Sequence, residues 1–162
     1  MPLKALTSTA VLIFVGLVAP AAGADVADTR WGVSLWGLSY HPPSTIDYAD
    51  VNLGVGLRYY FNRHVFGEVD ALRDSNRGLV LPVSAGAEVG LASIGESCRL
   101  AAVGALTLAY YQNPRTRSDS FKFGPVPGVV FGCGRVQVNV VAILSSSENL
   151  LAAIAASLTI RF

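Results

Sequence analysis

The chain has little charge. Only 14% of its 162 residues are Asp, Glu, Lys or Arg, and the formal net charge is +1. That balance offers no electrostatic case for a nucleic-acid partner. Cysteine is scarce as well. Cys98 and Cys133 are too few for a disulfide framework, and with two distant histidines they make a poor metal set. Beyond residue 24, no run of about twenty apolar residues escapes polar interruption, so no membrane-spanning helix is expected. What is abundant is apolar side chain, 52% of the residues, and glycine, 16 residues. Glycine relieves crowding where strands bend or approach one another closely. The length suits one domain.

Residues 1–24 read as a secretion signal. Lys4 supplies the positive end, Ala10 to Val18 the apolar core, and Ala22-Gly23-Ala24 a small-residue cleavage site. The competing reading is a membrane anchor, but the apolar run is short and Pro20 follows it. The expected mature domain is therefore 25–162, exported either as a soluble protein or into an outer membrane. Export also permits Cys98 and Cys133 to oxidise.

The end of the chain, Leu150 to Phe162, carries the clearest pattern. Leu150, Ala152, Ile154, Ala156, Leu158, Ile160 and Phe162 form one apolar set. The alternate set becomes polar through Ser157, Thr159 and Arg161. Period two over this length predicts a strand long enough to cross a bilayer at a tilt, with the terminal aromatic at the boundary. A core helix is the alternative, since Ala and Leu favour helix. A lone strand cannot span, because its edges would leave backbone groups unpaired in hydrocarbon. The rest of the chain must close around it.

Seven further strands are predicted: Trp31 to Tyr40, Asp50 to Phe61, His64 to Arg73, Leu79 to Leu91, Cys98 to Tyr111, Ser120 to Gly132, and Arg135 to Leu144. Alternation puts Val51, Leu53, Val55 and Leu57 outward and Asn52 and Arg58 inward. It likewise puts Pro82, Ser84, Gly86 and Glu88 inward. In the first strand it groups Trp36, Leu38 and Tyr40 on one face. The fifth strand is nearly all apolar and its faces cannot be assigned. Pro125 and Pro127 predict a gap in pairing on the sixth, either a lateral opening or a local irregularity. Eight strands joined by turns predict an all-β fold, an eight-stranded antiparallel transmembrane β-barrel of outer-membrane type. Its interior is filled by side chains. Arg58, Arg135 and Arg161 are expected to pair there with Glu68, Asp70 and Glu88. Closure leaves no free edge, so a monomer is expected.

With both ends of the barrel chain at the periplasmic side, the longer, more polar loops fall at the outer rim, as this class of barrel expects. His41, Asp74 and Ser75 come from different hairpins yet reach that rim. Histidine is a base at neutral pH, a serine hydroxyl needs activation to attack an ester, and a carboxylate can orient the imidazole. Such a set at a membrane surface suits acyl chemistry on lipid, although rim residues of these types also occur as plain solvated groups. Cys98 and Cys133 end neighbouring strands on the opposite rim, close enough for a staple.

Several segments resemble the outer-membrane lipid A palmitoyltransferases, the PagP-like family. Tyr40-His41 resembles that family's tryptophan-histidine at the end of the first strand, and Asn52 to Leu57 its glycine-rich second strand. Ala71-Leu72-Arg73-Asp74-Ser75-Asn76-Arg77 is similar to the segment carrying its Asp-Ser pair. Pro82 and Gly86-Ala87-Glu88 resemble the strand that follows. Phe123 to Val130, with Pro125 and Pro127, resembles its lateral gateway. The Gly-x-Val-x-x-x-Val run from Gly134 to Val140 resembles the next strand, and Phe162 the family's terminal phenylalanine. The resemblance implies an acyltransferase moving a palmitoyl chain from an outer-leaflet glycerophospholipid donor to a lipid A (lipopolysaccharide) acceptor. It implies a bacterial outer-membrane location, with the active-site rim facing the cell exterior and no metal or soluble cofactor. Carried over, His41, Asp74 and Ser75 are catalytic, and Gly86 lies at the floor of the acyl pocket. Arg77, Arg115 and Arg117 are candidates for contacts with lipid A phosphates. Residues 25–30 are too few for the amphipathic helix that the family carries before its first strand. A non-catalytic lipid-binding barrel and a lipid A deacylase are the alternative functions.

Overall fold

The computed structural model describes residues 29–41, 51–75, 77–113, 118–144 and 151–162. The expected signal segment, most of the first outer loop, and the loop holding Arg115 and Arg117 lie outside the described residues. Eight strands are present: β1 (Trp31–Tyr40), β2 (Val51–Tyr60), β3 (Val65–Arg73), β4 (Leu79–Ile94), β5 (Cys98–Asn113), β6 (Ser118–Cys133), β7 (Val136–Leu144) and β8 (Leu151–Arg161). Each pairs antiparallel with its neighbour, and β1 pairs with β8 to close the barrel.

The register explains why the alternating pattern works. Val33 lies opposite Leu57, Leu57 opposite Val69, Val69 opposite Val83, Val83 opposite Leu108, and Leu108 opposite Phe123. These apolar side chains form a band around the outside. One residue along, Arg58 lies opposite Glu68 and Glu68 opposite Ser84, so a polar row lines the inside. A one-residue slip of any strand would exchange the two. The barrel is therefore apolar outside and polar within, with Leu53, Val55, Val83 and Val89 each more than half exposed. A soluble domain does not leave so continuous an apolar surface uncovered.

Aromatic side chains mark both ends of this band. At the end holding the terminal Phe162, Trp31 packs on Tyr59 at 4.7 Å and Tyr59 meets Phe61 edge-on at 5.2 Å. Phe162 is exposed there, its N–H donating to Trp31 O at 2.9 Å. At the other end stand Tyr40, Phe121 and Phe123, all exposed, with Tyr110 against Phe121 at 5.3 Å. Such rings suit the two boundaries of a bilayer, where an apolar body and a wet edge are both satisfied.

The interior has two halves. Near the terminal end it is a closed polar network. Arg58 Nη2–H donates to Glu68 Oε2 at 2.7 Å, and Glu88 sits between Arg58 and Arg99. Tyr60 O–H donates to Gln137 Oε1 at 2.7 Å. Ser34 O–H donates to Glu68 Oε1 at 2.5 Å, and Asn139 Nδ2–H donates to Thr159 Oγ1 at 2.9 Å. Three of the residues expected to pair, Arg135, Asp70 and Arg161, have other partners among the described residues. Arg135 is exposed at the β6–β7 turn and contributes its carbonyl to Arg161 N–H at 2.8 Å, because the turn carries it past the end of the barrel. Arg99, on the strand whose faces had no readable alternation, takes the place beside Glu88. Asp70 accepts from Trp36 Nε1–H at 2.8 Å rather than from an arginine. Arg161 stacks over the Tyr60 ring at 4.0 Å and donates to Thr29 O at 2.9 Å.

Cys98 and Cys133 lie opposite each other across β5 and β6 and form the disulfide, with Cα atoms 4.1 Å apart. It closes a loop of sequence separation 35. Replacing both by serine is expected to lower unfolding free energy by about 2–4 kcal/mol. Denaturant midpoints of the refolded barrel with and without reductant would measure it, and only the double-serine variant should be indifferent to reductant.

Candidate active site

His41 faces inward only because β1 contains a bulge. In strict alternation with Trp36, residue 41 would point to the outside. The registers of β1 with both β2 and β8 shift between Trp36 and Leu38, at Gly37. The extra residue inverts the faces beyond it. Tyr40 is therefore exposed outside, while Ser39 and His41 line the interior cavity with Trp36. The expected grouping of Trp36 with Tyr40 on one face is corrected by this bulge. Bulges re-aim side chains in this way next to functional sites.

Asp74 and Ser75 follow β3 directly. Asp74 N–H donates to Gly78 O at 2.8 Å, Gly78 N–H donates to Asp74 Oδ1 at 2.6 Å, and Arg77 N–H donates to Asp74 O at 2.9 Å. The turn is closed with Arg77 at φ +69°. This turn holds Ser75 buried at the rim, where its Oγ lies 2.5 Å from His41 Nε2. The expected meeting of His41 with the Asp74-Ser75 pair is thus present, and the carboxylate of Asp74 serves the turn. Arg77 is exposed.

Two residues not singled out from sequence complete the site. Asn52, buried at the start of β2, has its amide within hydrogen-bonding distance of Ser75 Oγ at 2.9 Å and Ser39 Oγ at 2.5 Å. Its inward direction was readable, its neighbours were not. Lys122 on β6 lines the cavity and holds its ammonium 4.7 Å from the centre of the Tyr111 ring. A lysine between Phe121 and Phe123, at an inward position, was the signal available for it.

Below His41 and Ser75 opens a cavity of about 300 Å³. Its walls are mostly small and apolar, among them Val80, Val103, Ala105, Val126, Val141 and Ala155, with Asp70, Ser84, Thr107 and Asn139 also lining it. This is why β5 shows no alternation: its inner face is as apolar as its outer one. Phe66, resting over the Arg58 guanidinium at 4.3 Å, and Glu68 line the cavity where it meets the polar network. Gly86, expected at this floor, does not line the cavity. A Cβ there would meet Phe66 Cζ at 2.6 Å, so Gly86 makes room for the ring that does.

β6 pairs with β5 along its whole length, but with β7 only from Gly128 to Cys133. The stretch 118–127 has no described ladder partner on the β7 side. Pro125 and Pro127 are two residues apart, so their nitrogens, which carry no hydrogen, face the same edge. The ladder to β5 being continuous, that edge is the one on the β7 side. At Gly128 the two strands approach so closely that a Cβ would collide with the Val140 and Val141 backbone. Among the described residues the β6–β7 ladder stops at Gly128, short of Pro125 and Pro127.

These features define a membrane-type β-barrel with an inward-facing His-Ser pair above an apolar chamber. No protein-family model and no curated protein matches the sequence. In fold, the chain is similar to the N-terminal β-barrel domain of Pseudomonas aeruginosa OprF, with TM-score 0.51 and 10% identity, covering 84% of this chain and 99% of that one. Neisserial surface protein A (NspA) gives TM-score 0.44 and 14% identity, covering 86% and 99% respectively. The fold class is thus an eight-stranded antiparallel barrel of outer-membrane type.

Proposed function

We propose that this barrel resides in a bacterial outer membrane and transfers an acyl chain from an outer-leaflet phospholipid to lipid A. The observation that carries this reading is the 2.5 Å contact of His41 Nε2 with Ser75 Oγ directly above an apolar chamber. A base and a hydroxyl in contact are the parts needed to handle protons in ester exchange. An apolar, lipid-accessible chamber is the place for the chain being moved. The β6 edge beyond Gly128, which has no ladder partner on the β7 side among the described residues, is the route this reading gives a hydrocarbon chain from the bilayer. Lys122 beside that edge supplies a cation for a phosphate. The sequence likeness of Ala71 to Arg77 to the palmitoyltransferase segment points to the same reaction.

Mass spectrometry of lipid A from cells with and without the protein tests this. A gain of one acyl chain is the expected result. Loss of a chain would instead indicate a deacylase, with water in place of the acceptor, and an unchanged lipid A a barrel that only binds lipid.

The chamber floor supplies a second measurement. Gly86→Ala sets a methyl group against Phe66 Cζ, Ala105 Cβ and Gly104 O, all within 2.9 Å. The ring is the part able to give way, upward into the chamber. The variant is expected to prefer a shorter acyl chain than the native protein, by roughly tenfold or more per methylene excluded. A donor series differing only in chain length would show it.

A further inference from the structure

Some of the polar groups that line the chamber are only half matched. Asp70 is buried there, and the lack of a side chain at Gly56 lets its carboxylate lie against β2. Trp36 Nε1–H donates to Asp70 Oδ1 at 2.8 Å. Among the described residues Oδ2 has no hydrogen-bond partner. Arg58, the guanidinium lining the same chamber, is held by Glu68 and Glu88. Ser84 and Thr107 lie opposite each other on β4 and β5, and Ser84 lies opposite Glu68, the inward residue of β3 next to Asp70. Their oxygens are 2.8 Å apart. Two hydroxyls in contact carry two protons and use one between them. The other proton has no acceptor among the described residues.

A saturated chain drawn into this chamber would lay methylene groups against Asp70 Oδ2 and against that hydroxyl proton. Taking such groups out of water without a partner is costly. A hydroxyl on the chain removes the mismatch. It donates to a carboxylate and can accept from a carboxyl, so it suits Asp70 in either protonation state. The Ser84–Thr107 pair, one inward position further down, has the complementary proton to give.

We propose that the chamber takes an acyl chain bearing a hydroxyl group near its middle, and that Asp70 is the specificity-determining residue that recognises this hydroxyl. This deepens the acyl-transfer reading above and rests on it. The depth follows from the strand. At about 3.3 Å per residue, the run from Asp70 to Ser75 covers up to roughly 15 Å. With the ester beside Ser75, Asp70 meets the middle of a long chain and not the carbons next to the carbonyl. A purely apolar chamber rejects an added hydroxyl only weakly, whereas a site built to bond one discriminates strongly against the chain that lacks it.

The protein has two tryptophans. Trp31 packs on Tyr59 outside the chamber, so Trp31→Phe leaves Trp36, bonded to Asp70, as the reporter. With His41→Ala added to stop turnover, its emission is titrated with phospholipids in detergent micelles whose sn-1 chain is stearoyl, 3-hydroxystearoyl or 10-hydroxystearoyl. The 10-hydroxystearoyl lipid is expected to bind at least about tenfold more tightly than the other two. Asp70→Leu should abolish that preference. Asp70→Asn, whose amide can serve both the indole and the hydroxyl, should keep most of it. Should the leucine variant not fold, Thr107→Val, nearly the same in shape, carries the test and should reduce the preference severalfold. Equal affinity for the three chains, or a preference that survives both Asp70→Leu and Thr107→Val, means that water meets Asp70 and overturns the proposal. Equal binding of the 3-hydroxy and 10-hydroxy chains overturns it as well, because the hydroxyl is then read at the mouth. Selective binding by a native barrel that transfers no chain removes the acyl-transfer reading and leaves the subsite. Transfer of stearoyl and 10-hydroxystearoyl with equal kcat/KM removes the subsite and leaves the transfer.

Discussion

His41→Ala is expected to abolish acyl transfer while leaving the barrel folded. The expected loss is at least about 10³-fold in kcat/KM, equivalent to roughly 4 kcal/mol of transition-state stabilisation. In the proposed reaction His41 is the base beside Ser75, and no other described histidine is near: His64 sits in the β2–β3 turn at the opposite end, with Nδ1 3.1 Å from Glu88 O. Stability should hardly change. His41 lies just past the end of β1, is only half-buried, and takes no part in the polar network below the chamber. The measurement is turnover of a phospholipid donor in detergent micelles, read beside the heat-resistant gel migration of the folded barrel. His64→Gln is the matched control and should keep native activity. A His41→Ala variant that turns over like the native protein would remove His41 from the chemistry altogether.

The barrel itself was legible because most strands separate two unlike environments. In β2 the sequence reads Val51, Leu53, Val55, Leu57 against Asn52 and Arg58, and the structure sorts them in that way. Where the two sides of a strand are alike, the pattern fades. β5 turns Ala101, Val103 and Ala105 inward and Leu100, Ala102 and Leu106 outward, apolar on both sides, so neither its faces nor the inward course of Arg99 could be read. A bulge leaves no periodic signal either. Gly37 inverts the outer end of β1, and only the registers with β2 and β8 reveal it. His41 and Ser75 were brought to one rim by counting strands, which fixes an end of the barrel but not a contact. Asn52 was assigned to the inside, and nothing in its neighbours in sequence says that its amide lies between Ser39 of β1 and Ser75 of the turn after β3. Gly86 and Phe66 show the remaining limit. A glycine can shape a cavity from behind the side chain that lines it, and sequence similarity marks the glycine alone.

Arg58→Met is expected to be the most destabilising single change in the polar half, by about 3–5 kcal/mol. The guanidinium is buried between Glu68 and Glu88, with Asn139 Oδ1 at 3.3 Å. Removing it leaves Glu68 charged, buried, and held only by neutral donors such as Ser34. Glu88 keeps Arg99, so the damage centres on Glu68. An unpaired buried carboxylate costs far more than the pair gains, because desolvation of each ion nearly offsets their attraction. The double variant Arg58→Met, Glu68→Met therefore recovers most of the loss, even though it removes two charges where the single removes one. Urea midpoints of the refolded barrel would compare the three proteins. Equal destabilisation by single and double would mean that packing, and not charge pairing, is what Arg58 provides. The same substitution also tests how the two halves of the interior depend on each other. Phe66 rests on the Arg58 guanidinium, and methionine is a shorter, more flexible support. The Phe66 ring should settle toward the terminal end and deepen the chamber, so the residual activity of Arg58→Met should shift toward longer acyl chains, opposite in sense to Gly86→Ala.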